Sequence, residues 1–364
     1  MKIGIAHGNI VSRDAIGADI LGMYDVLVEC GFDVTLLADL FDKETKTRAR
    51  TVLIKDMTEA DVPAILIYHH SIHWKRGEAL LRDMPSARLL KYHNVTPPEF
   101  FEDYSPDTMV ACAAGRKQTA RLIRMFGEGD QFSADSSYNA AELIAAGAGE
   151  ACVAPPFTNV ARFLRRSAQP LQPPFKILFV GRMAPHKGHF DLLTIIAAYV
   201  AAFGPAIRLT MVGGLDDMLE DYGVHLRQQI GALGIQDQVT VLESVDDAAL
   251  RALYAEANVF LCMSEHEGFC VPVIEAQAAG IPVVSSNATA LGETIGPGQI
   301  VVDPPKTKTD YAVIAHLIHA ICTDAALRAQ VVASGHRNVI SRFSPPVVAD
   351  LFMDALAPLL ERLA

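Results

Sequence analysis

The stretch Phe175-Lys176-Ile177-Leu178-Phe179-Val180-Gly181-Arg182-Met183-Ala184-Pro185-His186-Lys187-Gly188 decides how the chain folds. Its first six residues form a short apolar run of the kind that makes a strand buried on both faces. Gly181 ends the run and a helical pattern opens at Gly188, so a strand passes through a short loop into a helix. The alternation then repeats downstream. Ile207–Val212, ending in Gly213-Gly214, and Val239–Leu242, 259–263 and 282–285 read as strands. Helical patterns fall near 217–233, 247–257, 272–279, 310–321 and 325–333, and a last amphipathic helix occupies 345–363. Such alternation predicts a parallel sheet covered by helices on both faces.

Upstream, the same grammar holds. Lys2–Ala6, 34–37, 64–68 and 88–92 read as strands, and 15–30, 109–125 and 138–146 as helices. Between the halves lies Ser167-Ala168-Gln169-Pro170-Leu171-Gln172-Pro173-Pro174, whose prolines fit neither a sheet nor a helix interior. This is the best linker in the chain. We therefore expect an α/β protein of two doubly wound domains, 1–170 and 171–345, followed by a C-terminal helix at 346–364. Two such domains imply a cleft, with ligands beyond the carboxyl ends of the strands.

Composition agrees. With 364 residues, about two domains of ~150 residues are expected. A hydrophobic content of 51% excludes disorder, and 25 Gly with 20 Pro exclude collagen-like or low-complexity chains. The net charge is −11, of which −3 falls in residues 1–170 and −8 in 171–364, so the chain is no general nucleic-acid binder. Six cysteines without a CxxC pair read as reduced thiols of a cytoplasmic protein. The N-terminus reads as a strand and not a signal peptide. The longest uncharged apolar stretch, 192–207, falls short of the ~20 residues of a membrane span.

Several chemistries lack their motifs. No GxGxxG sits at a strand–helix turn: Gly127-Glu128-Gly129 and Gly147-Ala148-Gly149 follow helices, and Gly296-Pro297-Gly298 lies in a loop. Walker A, Asp-x-Asp, HExxH and CxxC are absent. His69 and His73 would need a helix to share a metal, and the residues before them read as a strand, so no metal site is expected.

Two loops carry charge in a pattern that suits a diphosphate. Arg182 and Lys187 are two cations on one strand–helix loop, and arginine can chelate two phosphate oxygens. The helix N-terminus behind them adds partial positive charge. The second loop, Ser264-Glu265-His266-Glu267-Gly268-Phe269-Cys270-Val271-Pro272, feeds a helix with Pro272 in its first turn. Gly268 permits close backbone approach, and the amides from Gly268 through Phe269 and Cys270 to Val271 point forward. Glu267 and Glu275 stand eight residues apart, one in the loop and one a turn inside the helix. One carboxylate can face sugar hydroxyls while the other holds a ribose. Solvated cations and an ordinary first-turn acid are the competing reading of each residue taken alone.

The pair GRxxxxKG and EGFxxPxxEAxAxGxPVV, here from Gly181 to Gly188 and from Glu267 to Val284, resembles the retaining GT-B glycosyltransferases of family 4. The resemblance is close over about 175–303 and loose over the first half. It implies a GT-B fold, with two Rossmann-like domains facing a cleft and the C-terminal helix crossing back to the N-terminal domain. It further implies a nucleotide-sugar donor, retention of anomeric configuration and no cofactor or metal. Arg182 and Lys187 would take the diphosphate, Glu275 the ribose and Glu267 the sugar's far hydroxyls. Val245, before the helical pattern at 247–257, looks like part of the family's base-binding loop. Tyr92-His93-Asn94 looks like the family's His beside the donor sugar. Where family members carry a Gly-Gly pair near the phosphates, only Gly17 remains here.

Similarity to these enzymes implies cleavage of the anomeric C–O bond through an oxocarbenium-like state. No evident nucleophile stands at a diagnostic position in the first half, so we expect a front-face reaction in which the departing phosphate oxygen takes the acceptor's proton. The EGFCVP form resembles mannosyl-type members, which favours GDP-mannose in polysaccharide or glycolipid synthesis over UDP-glucose. An epimerase or phosphorylase on the same fold, or a non-catalytic nucleotide-sugar binder, is the alternative. The acceptor is expected to be a glycan or lipid-linked. Lys117, Arg121 and Arg124 share one helix face, and Trp74-Lys75-Arg76 with Arg162-Phe163-Leu164-Arg165-Arg166 add basic-apolar patches. These suit peripheral contact with the inner membrane surface.

Overall fold

A computed structural model describes residues 1–164 and 171–364. The apolar runs of the first half become parallel strands β1 (Lys2–Ala6), β3 (Asp33–Ala38), β5 (Thr51–Leu53), β6 (Ile65–His70), β7 (Ala87–Tyr92), β8 (Gln131–Ala134) and β9 (Cys152–Val153), in the order β5-β3-β1-β6-β7-β8-β9. A small parallel pair, β2 (Asn9–Ile10) and β4 (Leu40–Phe41), lies apart from this sheet. The second half forms β10 (Phe175–Val180), β11 (Ile207–Val212), β12 (Val239–Leu242), β13 (Val259–Cys262), β14 (Val283–Ser286) and β15 (Ile300–Val302), in the order β12-β11-β10-β13-β14-β15.

Two compact units result. One comprises Met1–Pro98, Val110–Thr158 and Phe343–Ala364, and the other Glu99–Met109 and Asn159–Arg342. The division thus falls at 158–159 instead of 170–171, because the short turn of helix Val160–Phe163 buries Val160 and Phe163 in the second unit. The second boundary falls at 342–343 instead of 345–346. Of the proline-rich linker, 167–170 lie outside the described residues. No local pattern marks 99–109 as part of the second unit. There Phe100 and Phe101 pack on His186, with Phe100 also on His266, and Tyr104 meets Tyr222 edge-on at 5.0 Å.

In the first unit, Ile3, Ile5, Ile65, Ile67 and Leu89 of the sheet pack with Ile20, Leu21 and Leu27 of the helix Ala15–Glu29. The C-terminal helix Pro345–Leu363 joins this core through Val348, Phe352, Leu356 and Leu359. These positions line one helical face, and each buried side chain contributes about 2 kcal/mol. By length and composition the helical run Ala325–Leu363 could also cross a membrane, a span the sequence reading did not single out. Its final apolar face is core here. The apolar stretch from residue 192 belongs to the helix His189–Phe203, with Leu192, Leu193, Ile195 and Ile196 buried.

Candidate functional site

The second sheet builds outward from β10 through β11 to β12, then restarts at β13 on the other side of β10. That reversal is a topological switch point, where open parallel sheets bind ligands beyond their carboxyl ends. The loops leaving β10 and β13 are the two charge-bearing loops of the sequence. They are fastened to each other. Gly188 has φ 69°, and a Cβ there would lie 2.0 Å from the Met263 carbonyl oxygen, so only glycine lets the loops touch. The Glu265 amide donates to the His186 carbonyl at 2.8 Å.

This fastening brings Lys187 and Glu267 together. Lys187 Nζ lies 2.8 Å from Glu267 Oε1, with side chains 16% and 9% exposed. Thr289 fixes Glu267 from behind: the Glu267 amide donates to its Oγ1, which donates in turn to the Glu267 carbonyl, each at 2.8 Å. Arg182 is exposed and has no ion-pair partner among the described residues. The helix Val271–Ala278 opens behind the loop with Pro272 in its first turn. The left-handed residue at its N-cap is Cys270, φ 79°, rather than Gly268. Phe269 and Cys270 are buried, while Gly268 and Val271 are half-buried. A hydrogen bond with Cys262, then burial, pushes the Cys270 thiol well up, which makes it a poor nucleophile.

Glu275 is buried and paired outside the two loops. Its Oε2 accepts from the Tyr254 hydroxyl at 2.8 Å and its Oε1 from the Arg162 guanidinium at 3.2 Å. Burial pushes its pKa up, opposed by those two partners. Arg162 therefore lies in the site's own framework and not in a free basic patch. Val245 is half-buried in the loop before the helix Asp247–Glu256, which Asp246 caps through the Ala249 amide.

Gly17 and His93 belong to the first unit, Gly17 in the first turn of the helix Ala15–Glu29 and His93 directly after β7. The Gly17 amide donates to the capping Asp14 at 2.7 Å, and a Cβ at Gly17 would strike the Val11 carbonyl at 1.8 Å. Glycine is needed there for backbone packing, and its amide is already used. His93, at the end of β7, has both ring nitrogens occupied: Nδ1 by Asp135 Oδ2 at 2.8 Å and Nε2 by His69 Nδ1 at 2.7 Å. Asp135 also takes Lys91 Nζ at 2.7 Å, and the Asp19 carboxylate stands 3.8 Å from His93 Nε2. Burial pushes Asp19 up to about 6 against the pull of Lys91. Burial also pushes Asp135 up, but His93 and Lys91 outweigh it and hold it below the usual carboxylate range. Burial, and after it the neighbouring His93, His7 and Lys91, drive His69 well down, so it is neutral. Asp19, His69 and His93 could together hold a metal ion, a grouping the sequence did not suggest. However, 2.7 Å between the two imidazole nitrogens is a hydrogen-bond distance, whereas two ligands of one tetrahedral zinc stand ~3.3 Å apart. His73, in contrast, is exposed in the loop after β6.

The basic patches are largely neutralised. Arg121 donates to both carboxylate oxygens of Glu78, at 3.1 and 3.0 Å, Arg116 pairs with Glu142, and Arg76 with Asp39. The Trp74 ring N–H also donates to Asp39. Lys117 and Arg124 remain exposed, and Arg165 and Arg166 lie outside the described residues.

The family model for glycosyl transferases group 1 matches residues 161–337, the stretch that carries both charged loops. The second unit contains a group 1 glycosyl transferase domain. Among relatives of this domain, GDP-mannose:cellobiosyl-diphosphopolyprenol alpha-mannosyltransferase of Komagataeibacter xylinus is 34% identical over 148 residues, 40% of this chain and 36% of that protein. O-antigen chain mannosyltransferase B of Escherichia coli is 32% identical over 152 residues, 41% of this chain and 37% of that one. The chain thus spans little more than a third of these relatives' length. Beyond the group 1 domain, the whole chain superposes on sucrose-phosphate synthase of Thermosynechococcus elongatus with TM-score 0.79 at 18% identity, covering 100% of both chains. For HepE of Anabaena, in complex with UDP and glucose, the TM-score is 0.77 at 16% identity, covering 98% and 99%. The two units are the Rossmann-like domains of a GT-B fold.

Proposed function

We propose that the chain is a retaining, metal-independent hexosyltransferase that moves mannose from GDP-mannose to a glycan or lipid-linked acceptor. The observation that carries this reading is the Lys187–Glu267 pair beside exposed Arg182 at the switch point of the second sheet. Breaking the anomeric C–O bond leaves growing negative charge on the diphosphate. Arg182, Lys187 and the N-terminus of the helix Val271–Ala278 are fixed positive groups that can meet that charge. Glu267 holds Lys187 in place before the donor enters, and then offers its carboxylate to the hexose hydroxyls. Glu275 takes the ribose, and the loop containing Val245 takes the base. The reaction is front-face, with the departing phosphate oxygen taking the acceptor's proton; a covalent sugar adduct trapped on a Glu or Asp would contradict it.

Mannose is preferred because two relatives of the domain are named as mannosyltransferases, one of them with GDP-mannose in its name. UDP-glucose is the rival donor. Incubating the protein with GDP-mannose, UDP-glucose and ADP-glucose, with and without lipid-linked and glycan acceptors, and following transfer by mass, tests the reading. Acceptor-dependent transfer from GDP-mannose with retained configuration is expected. Donor isomerisation without acceptor would mean an epimerase, and binding without turnover a nucleotide-sugar receptor.

A further inference from the structure

Glu275 is gripped by two side chains from different elements. Arg162 comes from the turn Val160–Phe163 and Tyr254 from the helix Asp247–Glu256. They are one packed unit. The Arg162 guanidinium lies 4.6 Å above the Phe163 ring, and Phe163 meets Tyr254 edge-on at 4.7 Å. Arg162 also reaches Asp247 Oδ2 at 3.7 Å, at the start of the helix that follows Val245. A carboxylate offers about four acceptor positions. Arg162 and Tyr254 use one on each oxygen, so each oxygen keeps one for a further donor. Two acceptors side by side match a vicinal diol.

We propose that Arg162 and Tyr254 are positioning residues that orient Glu275 to chelate the two ribose hydroxyls of the donor nucleotide. This rests on the reading of Glu275 as the ribose ligand. Arginine suits the task because its planar guanidinium can bridge two carboxylates while stacked on a ring. Tyrosine suits it because its hydroxyl can donate to Glu275 from a fully buried ring.

The test measures binding of GDP and 2′,3′-dideoxy-GDP, with the UDP pair run in parallel, by calorimetry on the full chain. Wild type should prefer the ribose form by about 30-fold. Arg162→Ala and Tyr254→Phe should each reduce that preference to about threefold while leaving affinity for the dideoxy form unchanged. Arg162→Lys should fall between. The unchanged dideoxy affinity separates this from a general loss of structure. If wild type discriminates and both variants discriminate as strongly, the positioning role is refuted and Glu275 remains the ribose ligand. If wild type does not discriminate at all, the ribose reading of Glu275 fails and takes the positioning role with it.

Discussion

Replacing Lys187 by Met separates what the Lys187–Glu267 pair does for the fold from what it does for a diphosphate. The pair spans 2.8 Å and is 16% and 9% exposed, between a surface pair and a fully buried one. Exposed pairs contribute at most ~1 kcal/mol, whereas removing one partner of a buried pair costs about 3–5 kcal/mol. Lys187→Met should therefore destabilise by about 2 kcal/mol, and adding Glu267→Gln should recover most of that by removing the stranded carboxylate. Activity should behave otherwise. Loss of one fixed donor to the leaving group costs about 3 kcal/mol of transition-state stabilisation, a drop of roughly 10²-fold in turnover. The double variant should stay at least as inactive. Urea unfolding with steady-state transfer assays on the four proteins measures both quantities. The reasoning is refuted if Lys187→Met keeps turnover within threefold of wild type, or if the double variant regains activity together with stability.

Other expectations follow from particular contacts. Gly188→Ala drives a Cβ into the Met263 carbonyl and should cost more than about 2 kcal/mol in urea unfolding, with donor affinity lost in parallel. At the left-handed Cys270, Cys270→Gly should leave stability within about 1 kcal/mol, whereas the β-branched Cys270→Val should cost about 2 kcal/mol. Burial pushes His70 and His189 down to about 3 from 6.5, so folding requires both to be neutral. Folded-state pKa values below the unfolded ones mean stability present above about pH 6.5 and lost as pH falls towards 3. Each contributes about 1.4 kcal/mol per pH unit, and His70→Gln should remove one such increment from the stability–pH slope. Mixed liposomes of anionic lipid should gain little affinity from Arg121, whose charge Glu78 already meets. Charge reversal of Lys117 and Arg124 should abolish whatever sedimentation with liposomes occurs, and an equal effect from Arg121→Glu alone would contradict the pairing.

The second sheet was legible because β10, β11 and β13 are apolar runs followed at once by loops with glycine and charge. Period and turn chemistry alone locate such elements. Short or polar strands were not: β5 has three residues, β9 two, and β8 reads Gln-Phe-Ser-Ala, so each depends on its neighbours in the sheet. Missing β8 also hid Asp135. A strand there would have put this acid at a carboxyl end, where a polar residue is noteworthy. Asp19, His69 and Asp135 come from the first helix, from β6 and from the end of β8, and only tertiary structure makes them neighbours of His93. Arg162 read as a surface cation because its partner Glu275 lies 113 residues further along the chain. The residues of the two charged loops were named from type and spacing. Their fastening through Gly188 and the Lys187–Glu267 bond is tertiary and invisible to local pattern.

The most direct measurement is turnover of GDP-mannose in excess chelator, on wild type and on Arg182→Ala/Lys187→Ala. Fixed protein cations acting on the leaving diphosphate require wild-type turnover to be unchanged by chelation and the double variant to lose at least 10³-fold. Abolition of wild-type turnover by the chelator, restored by added magnesium or manganese, would contradict that account.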